Sequence, residues 1–175
     1  MKNLDTLIHD IYTVLDGLNS DKGVDIPEEL MEEFLVNTRE ALEGWSTPHL
    51  QSKTVRMSNV GRPLRRVWYD MQDTPLTKER MQPSTFIKFL YGHLLESVAI
   101  LLIKLSGHTV TDMQKEVEVD GIKGHMDCKI DGEVVDIKTA SNFSFKKFAS
   151  GTLVDDDPFG YMAQLAGYEE AEGTE

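Results

Sequence analysis

Asp127, Asp136 and Lys138 stand where a single hairpin would gather them. Asp131-Gly132 is a two-residue turn signal. A turn there sets Ile130 against Glu133, Lys129 against Val134, Cys128 against Val135 and Asp127 against Asp136. Pairs alternate outward from the turn, so Asp127/Asp136 falls in a non-hydrogen-bonded position, with Cα atoms about 4.5 Å apart. One step on, His125 faces Lys138, and the period of two places His125, Asp127, Asp136 and Lys138 on one face. A β-bulge would break that register. Two carboxylates so placed repel, by up to about 1 kcal/mol when exposed, and burial makes the conflict worse. A divalent cation removes it. Mg²⁺ takes one or two carboxylates and leaves its other positions to water and phosphate oxygens, and such an ion lowers the pKa of bound water. Lys138 would orient or deprotonate that water, or neutralise charge developing on a phosphate. The alternative is an ordinary acidic surface hairpin, since an Asp-x-Lys triple is common by chance.

Glu96 offers a third carboxylate, inside an apolar helix pattern, with Gly92 one turn before it on the same face. Gly92 could admit the close approach of another backbone, and Glu96 could complete a metal shell. A solvated helix residue is the other reading of Glu96. His93 and His125 flank these carboxylates; either could touch substrate or a second metal, and the other reading is a hydrogen-bonding partner beside the site.

The elements that must position these residues follow from periodicity. Leu4, Leu7, Ile8, Ile11, Val14, Leu15 and Leu18 recur at helical spacing, and a second helix starts at Pro27, with Asp25 near its cap and Gly44 at its stop. Both read as packing elements without chemistry. Residues 45–82, with Pro48, Pro63 and Pro75, read as irregular, apart from a short basic and aromatic piece at 62–69. A long helix begins at Pro83 or Ser84 and stops at Gly107. From Met113 to Ala140 the period changes to two, giving a three-stranded meander with turns at Asp120-Gly121 and Asp131-Gly132. Asp157-Pro158 signals a last helix carrying Tyr161, Gln164, Leu165 and Tyr168.

With 175 residues the chain suits one compact domain, 1–175, with an N-terminal helical part at 1–45 and a core at 83–170. Its 40% hydrophobic and 27% charged residues are those of a soluble globular protein. In this reading no apolar run approaches the roughly 20 residues of a bilayer span, and the N-terminus lacks a signal-peptide pattern. The expectation is a cytoplasmic protein without membrane contact. The net charge of −12 argues against coating nucleic acid through bulk positive charge, although a cation-bearing site presents a different potential to phosphate. Part of that charge sits in Asp155–Asp157 and in residues 169–175, which read as a solvated tail. The single cysteine, Cys128, excludes an internal disulfide and a cysteine-ligated iron–sulfur cluster and reads as a small buried apolar residue.

Four motifs occur in order: Gly-x-x-x-Glu (Gly92 to Glu96), Gly-His-Met-Asp (124–127), Asp-Ile-Lys (136–138) and Gln-x-x-x-Tyr (Gln164 to Tyr168). The series resembles that of the RecB-like and lambda-exonuclease-like branch of the PD-(D/E)XK nucleases, over roughly the second half of the chain. The resemblance implies an α/β (α+β) restriction-endonuclease-like core, with a mixed central β-sheet and antiparallel meander flanked by helices. It implies Mg²⁺ or Mn²⁺ held by Glu96, Asp127, Asp136 and the Ile137 carbonyl, with Lys138 catalytic and Gln164 and Tyr168 positioning the site and DNA. Helix packing is the other reading of Tyr168. Residues 57–69 resemble the Ser-x-x-Gly-x-Cys-x-Arg segment of CRISPR-adaptation and helicase-linked nucleases. Pro63 stands at the cluster cysteine's position, so no iron–sulfur cluster is expected. Ser58, Arg62, Arg65, Arg66 and Trp68 would contact DNA; alternatively, Trp68 is core and the arginines pair with the acidic surface. The expected activity is metal-dependent DNA hydrolysis, exonucleolytic on ends or single strands, in bacterial or phage recombination, repair or DNA metabolism. A homo-oligomer or a recombination or replication partner would suit it. The alternative is a catalytically weak or silent nucleic-acid-binding module with a nuclease fold.

Overall fold

The structure is a computed structural model and describes residues 2–48, 53–72 and 81–174. Helix α1 (Leu4–Asp16) is capped by Asn3, whose side chain accepts the Thr6 N–H at 3.3 Å. Its Leu4, Leu7 and Ile11 cover a core of Ile103, Cys128 and Ile130. A 3₁₀ turn, Gly17–Asn19, ends it. Helix α2 (Glu28–Ser46) follows Pro27 and runs past Gly44, so that glycine is not its stop. No side-chain cap forms at its start, so Asp25 does not serve as one.

Residues 45–82 hold more order than the prolines suggested. Helices α3 (Met57–Val60) and α4 (Leu64–Met71) lie there, and Pro63 immediately precedes α4, where its fixed φ suits a helix entry. The expectation for Pro75 falls outside the described residues. Helix α5 (Pro83–Leu105) then spans 23 residues, and Gly107 follows at φ +83, the left-handed region common just past a helix end. By length and composition α5 is apolar enough to cross a membrane, with a mean hydropathy of 1.7. It nonetheless carries Lys88, Glu96 and Lys104, and Lys104 ion-pairs with Glu33 of α2.

Five short strands follow: β1 (Val110–Thr111), β2 (Lys115–Val119), β3 (Ile122–Met126), β4 (Cys128–Ile130) and β5 (Glu133–Val135). The turns fall as expected. Asp120 and Gly121, like Asp131 and Gly132, all have positive φ, the requirement of a type I′ hairpin. The register Cys128–Val135, Lys129–Val134, Ile130–Glu133 is the one expected. The sheet is not one meander, however. β2 and β3 form one antiparallel pair, and β1, β4 and β5 form a separate antiparallel sheet in the order β1-β4-β5. Among the described residues the only parallel pairing is an isolated bridge between Arg56 and Lys123, so two small antiparallel sheets replace the expected mixed one. The architecture is α+β.

The break lies at Asp127. Met126 packs with Met57, Val117, Val134 and Tyr168, whereas Cys128 packs with Ile103 and Ile130 on the other side. In a regular strand these two residues would share a face, so alternation slips by one residue at Asp127.

Helix α6 (Asn142–Ala149), unforeseen from sequence, is capped by Ser141, and a 3₁₀ turn Thr152–Val154 follows. Helix α7 (Tyr161–Glu172) begins later than Asp157-Pro158 suggested. Asp157 does cap the entry, accepting the Gly160 N–H at 2.9 Å and the Met162 N–H at 2.8 Å. The acidic end is no solvated tail through Glu172. That side chain is 8% exposed and pairs with Lys115 at 2.8 Å and Lys129 at 2.5 Å, tying α7 to both sheets. These two lysines hold its carboxyl below the usual range. Glu175 lies outside the described residues.

Candidate active site

Asp127 leaves the ladder between β3 and β4. Its carbonyl accepts the Gln114 N–H at 3.0 Å and its carboxylate accepts the Ile137 N–H at 2.7 Å. The second bond crosses to the segment after β5 and fixes Asp127 beside Asp136-Ile137-Lys138. Lys138 Nζ donates to Asp136 at 2.6 Å and lies 3.9 Å from Asp127. The three expected groups therefore lie together, although Asp127 and Asp136 stand beyond the Cys128–Val135 pair that ends the ladder and are not the cross-strand pair expected.

Burial dominates the electrostatics of this cluster. Loss of hydration pushes the Asp127 carboxyl up to about 7, aided by the charges of Asp136 and Glu96 and opposed by Lys138 and the Ile137 N–H. Glu96 is also raised, first by burial, although Gln114 donates to it at 2.8 Å and opposes the shift. Burial works against the Lys138 charge, but its bond to Asp136 and the nearby Asp127 outweigh that and raise its pKa. Asp127 is thus the strained carboxyl of the pair, while Asp136 has the ammonium as its close partner.

These groups open into a cleft of about 730 Å³. Glu96, Asp127, Ile137 and Lys138 line it together with His93, Gln164, Ser58 and Arg62. Asp136 is not part of that lining; its side chain is 8% exposed and accepts from Lys138. Gln164 donates to the Tyr168 hydroxyl at 2.7 Å. Tyr168 itself is 2% exposed and packs in the core with Met57 and Met126, the helix-packing alternative.

Other expected residues fall elsewhere. The slip at Asp127 turns His125 away. Its side chain is 60% exposed and its Nε2 lies 3.7 Å from Glu116, so it does not share the face of Asp127. Arg65, Arg66 and Trp68 sit on α4, outside the cleft lining. Trp68 is 56% exposed, which removes the core alternative, and packs edge-on to Tyr69 at 5.0 Å. Among the described residues none of Arg62, Arg65 and Arg66 forms an ion pair, so pairing with the acidic surface is not found. Gly92 is not forced by a close backbone: a Cβ there would meet only Thr139 Oγ1, at an ordinary 3.5 Å.

Two glycines matter more. A Cβ on Gly61 would lie 2.3 Å from the Gly160 Cα, so the two backbones pack directly on each other and set Ser58 and Arg62 against the start of α7. Gly61→Ala should therefore destabilise the fold by about 1–3 kcal/mol, the usual cost of overpacking. Urea unfolding would measure it, and an unchanged midpoint would refute the contact. Gly124, in the Gly-His-Met-Asp motif, leaves room for Tyr168 and Met57; a Cβ would stand 2.8 Å from each.

Sequence reasoning missed several lining residues. Asn37, Glu40 and Trp45 of α2 form part of the cleft wall, so α2 is more than packing. The Trp45 indole donates to the Phe86 carbonyl at 2.8 Å, which fixes that wall to α5. Gln114, the partner of Glu96, and Phe159 were also missed. For Gln114 no motif gave a signal, since only the fold brings residue 114 to residue 96.

As the side chains stand, no group of three or more His, Cys, Asp or Glu is gathered tightly enough to hold a metal ion among the described residues. The donor set nevertheless suits a hard divalent cation. It offers oxygens, with carboxyls in excess and an Asp127 raised to about 7, first by burial and then by the charges of Asp136 and Glu96. The fold and site thus define an α+β chain with an acidic, lysine-bearing cleft. No family model, curated protein or solved structure matches it.

Proposed function

We propose that the protein is a divalent-metal-dependent deoxyribonuclease with a restriction-endonuclease-like core of the PD-(D/E)XK type. One observation carries the reading: the Lys138 ammonium lies 2.6 Å from Asp136 and 3.9 Å from Asp127, in a cleft that Glu96 also lines. Asp127, Asp136, Glu96 and the Ile137 carbonyl are the groups that would hold Mg²⁺ or Mn²⁺. Bound there, the ion supplies a Lewis acid and a water of lowered pKa. Lys138, charged at neutral pH, neutralises charge developing on the phosphate or delivers a proton to the departing oxygen. Gln164 faces the cleft and is held by Tyr168, so it orients substrate from a fixed helix. Exonucleolytic action in recombination, repair or phage DNA metabolism follows from the motif resemblance.

Cleavage of end-labelled single- and double-stranded DNA with Mg²⁺, Mn²⁺ or EDTA tests the proposal. The expected result is cleavage that EDTA abolishes, and a folded protein that cleaves neither substrate with either cation would overturn it. The second reading, a silent nucleic-acid-binding module, is favoured by the closed Lys138–Asp136 pair and the absence of a ready three-ligand group among the described residues. Calorimetry separates the two: DNA binding without any Mn²⁺ binding would select the module.

A further inference from the structure

Phe159 and Tyr161 line the cleft beside Lys138. Their rings stack, with centroids 5.4 Å apart and 25° between planes. Lys138 Nζ lies 6.0 Å from the centre of the Tyr161 ring. Phe159 is 53% exposed, although a phenyl ring has no polar atom that solvent could satisfy. The backbone beneath the rings is fixed. Asp157 accepts N–H bonds from Phe159 at 3.3 Å, Gly160 at 2.9 Å and Met162 at 2.8 Å. Gly160 sits in the left-handed region at φ +78, pinned by the Gly61 backbone. A flat apolar face is thus held rigidly in a polar cleft. Arg62 and Lys88 line the same cleft and form no ion pair among the described residues.

An exposed ring backed by a second one, beside cations that form no ion pair among the described residues, matches an unpaired nucleotide: the base lies on the Phe159 face and its phosphates meet the cations. Within a duplex the base faces are already covered by their neighbours, so a paired strand cannot use such a platform without unstacking. The net charge of −12 sharpens the point, because bulk attraction for the phosphate backbone is missing and local contacts must supply the affinity. We infer that the exposed face of Phe159, backed by the Tyr161 ring that packs between it, Phe148 and Lys138, forms a base-stacking subsite, which makes single-stranded DNA the substrate. The inference rests on the phosphodiesterase reading above for the identity of the ligand.

Fluorescence anisotropy in EDTA tests the subsite without hydrolysis. The probes are a labelled oligo-dT, an abasic oligomer of equal length and charge, and a blunt duplex. The oligo-dT should bind about tenfold or more tighter than either control. Phe159→Ala should weaken oligo-dT binding roughly 5- to 100-fold, from the loss of one stacking contact, and Phe159→Trp should restore it. An unchanged melting temperature confirms that Phe159→Ala still folds. Equal binding of the abasic strand or duplex, no binding of oligo-dT, or no effect of Phe159→Ala would overturn the inference. Cleavage is scored separately. Metal-dependent cleavage without an oligo-dT preference removes the subsite alone, whereas oligo-dT binding by a protein that never cleaves removes the nuclease reading alone.

Discussion

Lys138→Ala is expected to lower metal-dependent DNA cleavage roughly 10²–10⁴-fold, the range for loss of a positioned proton-transfer group. Mn²⁺ affinity should be retained or increased. The ammonium is the only cation within 4 Å of Asp136 and Asp127 among the described residues, and its removal leaves both carboxyls in need of positive charge. Burial opposes the charge, but Asp136 and Asp127 outweigh it, so Lys138 is an ammonium at neutral pH. An ammonium so placed can neutralise charge or donate a proton. Lys138→Met should match Lys138→Ala, because the aliphatic stem alone does neither. Single-turnover cleavage of end-labelled DNA and Mn²⁺ calorimetry on the same variants make the measurement. Cleavage by Lys138→Ala at the wild-type rate would end the assignment.

The sequence revealed this part of the site because hairpin geometry is local. Asp131-Gly132 fixes the turn, the turn fixes the register through Cys128–Val135, and beyond that pair the Ile137 N–H holds the Asp127 carboxylate beside the Asp136-Ile137-Lys138 segment. The same counting failed for His125, two residues beyond Asp127, because the strand slips there and the period of two does not survive the slip. The motifs named Glu96 and Gln164, and both line the cleft. Nothing in the sequence linked Gln114 to Glu96 or Trp45 to the cleft wall, since those contacts depend on how helices and sheets pack over long separations. Helices α3, α4 and α6 were missed for a related reason. They are 4, 8 and 8 residues long, too short for a periodic signal, and packing rather than propensity sustains them. Glu172 looked like one more charge in an acidic run until Lys115 and Lys129 came to it from separate sheets.

The repulsion expected between Asp127 and Asp136 is unevenly shared, and this has a measurable consequence. Asp136 has Lys138 at 2.6 Å; Asp127, its side chain 14% exposed, has it only at 3.9 Å. Burial first, then Asp136 and Glu96, lifts the Asp127 carboxyl from 3.8 to about 7. Between these values the folded chain holds a proton that the unfolded chain gives up, so stability falls as pH rises from about 4 to about 7. The cost is absent below about pH 4 and complete above about pH 7, up to about 4 kcal/mol at 1.36 kcal/mol per pKa unit. Asp127→Asn keeps the shape and an oxygen for the Ile137 N–H but cannot ionise. In EDTA it should melt higher than the wild type at pH 8, with the gap shrinking as the pH falls and closing near pH 4. Mn²⁺ should reverse the order at pH 8, because the cation stabilises a chain that offers the Asp127 carboxylate and has less to hold in the amide. Thermal melts of both proteins across pH, with EDTA and with Mn²⁺, make the comparison. A lower melting temperature for Asp127→Asn at pH 8 in EDTA would mean that Asp127 stabilises the folded protein, and the strained-carboxyl account of this site would fail.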